Sequence, residues 1–268
     1  MNKILLVITT YNQSEYTKLC FESLKPLYDP FDVLVIDDYS TDDTVELCNE
    51  YDYEVITKSE GKGLTHSWNL GYERFKNGDY AYLILANNDI LIPDGALSEL
   101  VSVFENWPFS LVVPLSTTNG AGHNAQFQSV ECYYENIAPN CNESVNYQKT
   151  QDTLLDIKGK MKKSNNVYLV DPVRVKMFNG FFFMMNRNII NYEYEKDVLF
   201  DPNFNMTKNE DEFNWSKLIP NNDFPAICKT SFIYHFKGVS TFDIFDNFTE
   251  ISNDIDEWKR QRKELDKV

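Results

Sequence analysis

The chain has 268 residues, 43% hydrophobic and 15% aromatic, a composition that supports one good core and excludes a largely disordered protein. Its 41 acidic residues against 25 basic ones leave a formal charge of −16 and a pI near 4.6. A nucleic-acid backbone is therefore a poor partner, because phosphate neutralisation needs a basic face, and an anionic ligand would need a metal or local positive groups.

The elements read in chain order as alternating strand and helix. Ile4 to Thr9 is an apolar run that reads as a buried first strand, and Ser14 is placed to cap a helix carrying Leu19, Cys20, Ser23, Leu24 and Leu27 on one face, with Pro26 helping to end it. Val33 to Ile36 is the second strand. Thr41 is then placed to cap a short helix through Thr44, Val45, Leu47 and Cys48, with Asp42 and Asp43 in its first turn. A third strand, Glu54 to Thr57, leads through Gly61-Lys62-Gly63 into a helix from Leu64 to Phe75. Strand four, Tyr80 to Leu85, runs into Asn87-Asn88-Asp89, and Pro93-Asp94 opens a helix through Leu97, Leu100, Val101 and Phe104. Leu111 to Pro114 is a fifth strand.

Beyond it the alternation is lost. Residues 119–146 are polar and loop-rich, and Thr153 to Lys163 reads as a charged, exposed helix. Val167 to Val170, the apolar run Phe178 to Met185, a helix near Asn188 to Glu195 and a last strand from Ala226 to Phe236 follow, and the tail from Ile255 to Val268 reads as a charged helix. No internal repeat is visible. Cys20, Cys48, Cys132, Cys141 and Cys228 form no CxxC or Cys/His cluster, so reduced structural thiols are expected. No apolar run reaches the roughly 18 residues of a membrane span, and the first strand is too short for a signal-peptide core. The resulting expectation is a cytoplasmic protein, with peripheral contact at a membrane surface left open.

Chemistry gathers where strands end. Open α/β sheets bind ligands outside the carboxyl ends of their strands, and the first, second and fourth strands end at Thr10-Tyr11-Asn12, Asp37-Asp38 and Asn87-Asn88-Asp89. Tyr11 offers an aromatic face to a base. Asp38 can accept from a pyrimidine imide or a ribose hydroxyl, although turn chemistry accounts equally well for Asp37-Asp38. Gly61 and Gly63 would let backbone approach a ligand, or simply form a loop. Asp89 can hold magnesium or manganese against a diphosphate, since these ions take oxygen ligands and commonly use one or two carboxylates plus phosphate; alone it also reads as a turn aspartate. Glu210-Asp211-Glu212 is either solvated surface or, beside Phe200, Phe204, Phe213 and Trp215, a partly desolvated general base. His235 follows an apolar strand and could equally be structural.

The series Val7-Ile8-Thr9-Thr10-Tyr11-Asn12, Val35-Ile36-Asp37-Asp38-Tyr39-Ser40-Thr41-Asp42, Gly63 with Asn69-Leu70-Gly71, and Leu85-Ala86-Asn87-Asn88-Asp89 with Pro93-Asp94 closely resembles glycosyltransferase family 2. The likeness continues through Asn179-Gly180-Phe181 to Arg187, Phe200-Asp201, Glu210-Asp211, and His235 with Gly238 and Ser240, leaving only residues near 120–166 unmatched.

That resemblance implies a GT-A (Rossmann-like) α/β fold with a mostly parallel central sheet, helices on both faces, and a single domain of two closely packed halves. Residues 1–115 would bind the nucleotide sugar. Residues 116–268 would hold the acceptor and the base, with a loop-rich insertion over about 120–166 and a C-terminal helix over about 255–268. It further implies a UDP-, dTDP- or GDP-sugar donor, Mn2+ or Mg2+, and inverting single displacement onto a glycan, lipid-linked or protein acceptor. Thr9, Tyr11 and Asp38 would hold the nucleoside, Gly63, Asn69, Asn87, Asn88 and Gly180 would complete the donor site, and Asp89 and His235 would bind metal. Asp211 would be the base, with Glu210 or Glu212 as the alternative. Asn87 stands where many members have an aspartate, and its amide oxygen can coordinate metal without adding charge.

Two other enzyme and binding classes fit less well. A sugar-phosphate nucleotidyltransferase wants a glycine-rich, basic loop after strand one, which Thr10-Tyr11-Asn12-Gln13 lacks. A phosphoacceptor signalling module is about half this length and has no use for Glu210 to Glu212 or His235. A catalytically silent nucleotide-sugar binder differs only in lacking turnover.

Overall fold

An apolar run without polar alternation belongs in a strand covered on both faces, and Ile4–Thr10 forms such a strand, β1, with all seven residues buried. A computed structural model describes residues 3–27, 31–117, 129–130, 148–156, 172–174, 178, 180–192, 198–200, 225–236 and 239. β2 (Phe31–Asp37) and β4 (Tyr82–Asn87) flank β1 and run parallel to it, and β3 (Glu54–Thr57) lies parallel outside β2. The register aligns Thr10 with Asp37 and Thr9 with Asn87, so the three polar strand ends meet on one edge.

The rest of the sheet is built from β6 (Leu111–Thr117), β9 (Phe182–Asn186) and β10 (Ala226–Phe232), with the short strands β7 (Ser129–Val130) and β8 (Val173–Arg174). The order is β3-β2-β1-β4-β9-β6-β10-β8, with β7 on β6, making nine strands. β9 is antiparallel to both of its neighbours, β4 and β6. The sequence marked this run as apolar but not its direction, because an apolar run reads the same both ways. Its reversal delivers Gly180 and Phe181 to the carboxyl edge of β4, where the Asn87 N–H donates to the Phe181 carbonyl at 2.8 Å.

The expected last strand, Ala226 to Phe236, is two strands. β10 ends at Phe232, the Ile233 N–H donates to the Leu115 carbonyl at 3.0 Å, and β11 (Tyr234–His235) leaves the main sheet to pair antiparallel with β5 (Ile90–Leu91). The helix expected near Asn188 is a 3-10 turn, Arg187–Tyr192.

Helices α1 (Ser14–Leu24), α2 (Thr44–Glu50), α3 (Leu64–Asn77) and α4 (Ala96–Asn106) fill the crossovers. α3 packs over β1, β2 and β4, and α4 packs over β6 and β10. Trp68, Tyr72 and Phe75 recur at helical spacing on α3 and are all buried, Trp68 meeting Phe183 edge-on with ring centroids 5.1 Å apart. Burying each such aromatic contributes roughly 1.5–3 kcal/mol before chain entropy is counted.

Two helix starts differ from expectation. Ser14 is the first helical residue rather than the cap, and its N–H donates to Asp42 Oδ2 of the neighbouring loop at 3.0 Å. Thr41 does not cap α2; Asp42 accepts the Thr44 N–H at 3.1 Å, while the Thr41 N–H donates to Asn12 Oδ1 at 2.8 Å. The Ser14 and Thr41 N–H groups both find partners across the two loops, which local spacing cannot reveal, whereas Asp42 caps α2 from within its own loop.

Residues 148–156 are helical, earlier than the expected Thr153 start, and Thr150 and Leu154 are buried, so this face is packed rather than exposed. Gln151 fastens it to the start of α4 by accepting the Asp94 N–H at 2.8 Å. Val167 to Val170 and the Ile255 to Val268 helix lie outside the described residues, as does the 120–166 insertion apart from residues 129–130 and 148–156. Among the described residues, no helix is long and apolar enough to cross a membrane, and Cys20, Cys48 and Cys228 are free and buried.

Candidate active site

The loops after β1 and β2 are laced together by short polar side chains. Thr10 Oγ1 donates to Asp37 Oδ1 at 3.2 Å, the Ser40 N–H donates to Asp37 Oδ2 at 3.1 Å, and the Asn12 N–H donates to Ser40 Oγ at 2.7 Å. Asn12 and Gln13 sit at φ 53° and 63°, a left-handed pair that turns the chain into α1 and that Asn tolerates better than most residues. Asp37 is therefore a buried loop brace. Thr9 is also buried, and its hydroxyl donates to the Ala86 carbonyl at 3.2 Å, so it ties β1 to β4 beside the edge. Tyr11 stands half-buried at the mouth of these loops.

Asp38 plays a different part. Its Oδ1 accepts the Lys62 N–H and its Oδ2 the Gly63 N–H, each at 2.8 Å, and Lys58 Nζ pairs with Oδ1. Lys58 follows β3 directly and also donates to the Gly63 carbonyl at 3.1 Å. Burial pulls the Lys58 ammonium below its ordinary pKa, with the Asp38 carboxylate opposing that shift. Gly63, at φ 78°, turns this loop into α3. Tyr39, next to Asp38, holds φ 70° with 52% of its surface exposed, a backbone state that costs a non-glycine residue roughly 1–3 kcal/mol and is usually retained where a site requires it.

The three residues after β4 have separate roles. Asn87 Oδ1 is buried and has no hydrogen-bond partner among the described residues. Asn88 is 3% exposed, and its amide donates to Thr17 Oγ1 at 2.8 Å and to the Asn12 carbonyl at 3.4 Å, pinning the edge to α1. Asp89 is also 3% exposed, and its Oδ1 lies 3.3 Å from His235 Nε2. The β5/β11 pair creates that meeting, reinforced by the Phe236 N–H donating to the Asp89 carbonyl at 3.0 Å. Phe181 stacks on the imidazole at 4.4 Å and 12° between planes, fixing its orientation.

A carboxylate and an imidazole side by side, with an amide oxygen seeking a partner nearby in sequence, suit a divalent cation that keeps open positions. No group of three or more His, Cys, Asp or Glu gathers among the described residues.

The model of glycosyl transferase family 2 matches residues 5–192, spanning every strand end just described except His235. The chain belongs to glycosyl transferase family 2. It is 27% identical over 156 residues to the teichoic acid poly(glycerol phosphate) polymerase of Staphylococcus epidermidis, a match covering 55% of this chain and 21% of that protein. Among solved structures, S. aureus TarS 1–349 has a TM-score of 0.56 at 16% identity, covering 87% of this chain and 60% of that one. The mannosyltransferase PcManGT from Pyrobaculum calidifontis has a TM-score of 0.58 at 12% identity, covering 89% of this chain and 59% of that one. At such identities the likeness carries the fold, and the fold of this family 2 chain is GT-A, an α/β domain around a mostly parallel sheet. The chain spans about a fifth of the curated relative and about three fifths of these solved ones.

Against that family pattern, Asp38, Asn87, Asp89 and His235 stand on one edge, with Gly180 immediately before Phe181. The Asn69 side chain is engaged with the chain before Asp201: its Oδ1 accepts the Leu199 and Phe200 N–H groups at 3.1 and 2.9 Å and its Nδ2 donates to the Phe200 carbonyl at 2.8 Å. It therefore fastens α3 to the segment ahead of Asp201. Glu210, Asp211 and Glu212 lie outside the described residues. Lys58 and Phe181 escaped the sequence reading. A lysine directly after a predicted strand, with an aspartate just after the strand before it, was the available signal for the first; for the second the motif gave the residue but not its place, which the reversal of β9 sets.

Proposed function

We propose that the chain is an inverting glycosyltransferase that moves a hexosyl or deoxyhexosyl group from a nucleotide-diphosphate sugar to a hydroxyl of a glycan, lipid-linked or protein acceptor. The observation that carries this reading is the Asp89–His235 pair at 3.3 Å on the carboxyl edge of the sheet, two residues after Asn87, whose Oδ1 is buried without a hydrogen-bond partner among the described residues. This donor set fits Mn2+ or Mg2+, and a cation held by Asp89, His235 and Asn87 would supply the charge that neutralises a departing diphosphate. Solved relatives support it: TarS 1–349 has been crystallised with UDP and with UDP-GlcNAc, and PcManGT with GDP-Man and Mn2+.

In this reading Tyr11 offers its ring to the base, Asp38 accepts a base N–H, and residues 1–115 form the donor half. Residues 116–268 form the acceptor half. Asp211 takes the acceptor hydroxyl proton, or Glu210 or Glu212 does so. The freed oxygen forms the new bond at the anomeric carbon from the face opposite the diphosphate. The old anomeric C–O bond breaks, and its electron pair leaves with the nucleoside diphosphate.

The test separates binding from displacement. Asp211→Asn should abolish sugar transfer, followed by mass spectrometry of acceptor panels, while calorimetry finds nucleotide affinity intact in the presence of Mn2+. Substantial residual transfer would remove Asp211 from the role of base, and wild-type protein that neither transfers nor hydrolyses any nucleotide sugar would leave a silent binder.

A further inference from the structure

We infer that Lys58 is a positioning residue that leaves Asp38 a single free acceptor, so that the donor nucleotide carries uracil or thymine rather than guanine. This rests on the nucleotide-sugar reading above and sharpens it to a base class.

An ionised carboxylate offers about four lone-pair sites. On Asp38 three are taken: Oδ1 by the Lys62 N–H and the Lys58 ammonium, and Oδ2 by the Gly63 N–H. One site on Oδ2 remains among the described residues. The arrangement is held from two sides, because Lys58 also donates to the Gly63 carbonyl at 3.1 Å while its own N–H donates to the Asp37 carbonyl at 3.0 Å. With side chains only 5% and 14% exposed, Lys58 and Asp38 are kept from exchanging these partners for water.

Uracil and thymine present one imide N–H between two carbonyls, which a single acceptor satisfies. Guanine presents N1–H and N2–H side by side, the pattern that an unobstructed carboxylate would take through both oxygens. Here one of those N–H groups would be desolvated without a partner, the situation in which hydrogen-bonding sites discriminate most strongly. Cytosine turns a lone pair at N3 toward the carboxylate and is repelled. Lys58 also neutralises Asp38, so the edge gains hydrogen-bonding direction without adding to the negative charge that a diphosphate must approach.

Calorimetry on the full chain with Mn2+ and UDP, dTDP, GDP or CDP tests the inference. UDP and dTDP should bind at least about tenfold more tightly than GDP and CDP. Lys58→Met frees a lone pair on Oδ1 and should lower the UDP-to-GDP preference by roughly fivefold or more, whereas Lys58→Arg, which can refill it, should keep the preference. GDP or CDP binding as tightly as UDP overturns the base assignment while leaving a nucleotide-sugar enzyme in place. An equal loss for all four nucleotides in Lys58→Met reduces Lys58 to structural support and overturns its selective role. If Lys58→Met fails to fold, the wild-type ratio and Lys58→Arg decide. Failure of all four nucleotides to bind the wild type removes the nucleotide-sugar reading itself.

Discussion

His235 Nε2 reaches to within 3.3 Å of Asp89 Oδ1 only because β11 leaves the main sheet and pairs with β5. Backbone pairing and the stacked Phe181 ring hold the two side chains in this arrangement. A cation binding both groups would therefore find them already oriented, and little ordering would oppose coordination. Asp89→Asn, which keeps the shape and removes the charge, should lower nucleotide affinity measured with Mn2+ by at least about tenfold and leave the metal-free affinity nearly unchanged. His235→Gln should act in the same direction. Wild-type nucleotide affinity that is identical with and without Mn2+ would refute the metal role of both.

Asn88 makes a different prediction from its neighbour, although both are equally buried. Its amide bonds to Thr17 Oγ1 and to the Asn12 carbonyl hold the β1 loop and α1 against the end of β4. Asn88→Ala removes the donor to the half-buried Asn12 carbonyl and to the buried Thr17 hydroxyl, which keeps only its bond to the Gln13 carbonyl, and should cost about 1–3 kcal/mol in urea unfolding. A double-mutant cycle with Thr17→Val should give a coupling of roughly 0.5 kcal/mol or more. Additive effects would show that the 2.8 Å bond contributes nothing specific.

These two neighbours also mark how far the sequence could be read. Every strand and helix from β1 to β6 was legible except the two-residue β5, because buried parallel strands and amphipathic helices have different periods, and so was the position of Asp89 just after a strand. The distinct role of Asn88 was not, since its partners Thr17 and Asn12 lie far away in sequence. For the same reason Asn69 reads as a donor-site residue by motif, while its bonds go to Leu199 and Phe200. Ser14 and Thr41 had the right residue type for capping, but Asp42 accepts the Ser14 N–H from across the loops and the Thr44 N–H from within its own, while the Thr41 N–H goes to Asn12. His235 stood out locally only as a histidine after an apolar strand, because nothing local distinguishes a strand that continues from one that breaks at Ile233 to change sheets.

The buried thiols make a chemical prediction. Burial, with a smaller push from Asp37, raises Cys48 from its ordinary value of 9.0 to about 12, and burial likewise raises Cys20 and Cys228. Thiolate is the reactive form, so brief iodoacetamide treatment at pH 8 should leave all three unmodified in peptide mass spectra and modify them after unfolding in guanidinium. The same shift sets a sign for stability. The folded chain favours the protonated Cys48 thiol, so its contribution is intact below pH 9.0 and is lost as pH rises toward about 12. Rapid alkylation in the native state, or an unfolding midpoint that stays flat across that range in wild type, would contradict the burial.

Gly71 tests how closely α3 must approach the strand that ends in the site. A Cβ at this position would stand 2.7 Å from Val7 Cγ1 and 2.9 Å from Cγ2, and Val7 is wholly buried in β1. Alanine improves helix propensity by roughly 1 kcal/mol. Overpacking a rigid core typically costs about 1–3 kcal/mol, and here a β-branched neighbour has no free rotamer to yield. Gly71→Ala should therefore be destabilising in urea with an unchanged slope. Trimming the obstruction should reverse the sign: in a Val7→Ala background the same substitution should be neutral or stabilising, because the clash is gone and the propensity gain remains. Since Val7 lies two residues before Thr9 on the same strand, the single substitution should also weaken nucleotide binding by disturbing the edge. A Gly71→Ala protein as stable as wild type would mean that α3 can lift from β1, and the carboxyl edge would then be less firmly held than its buried strands indicate.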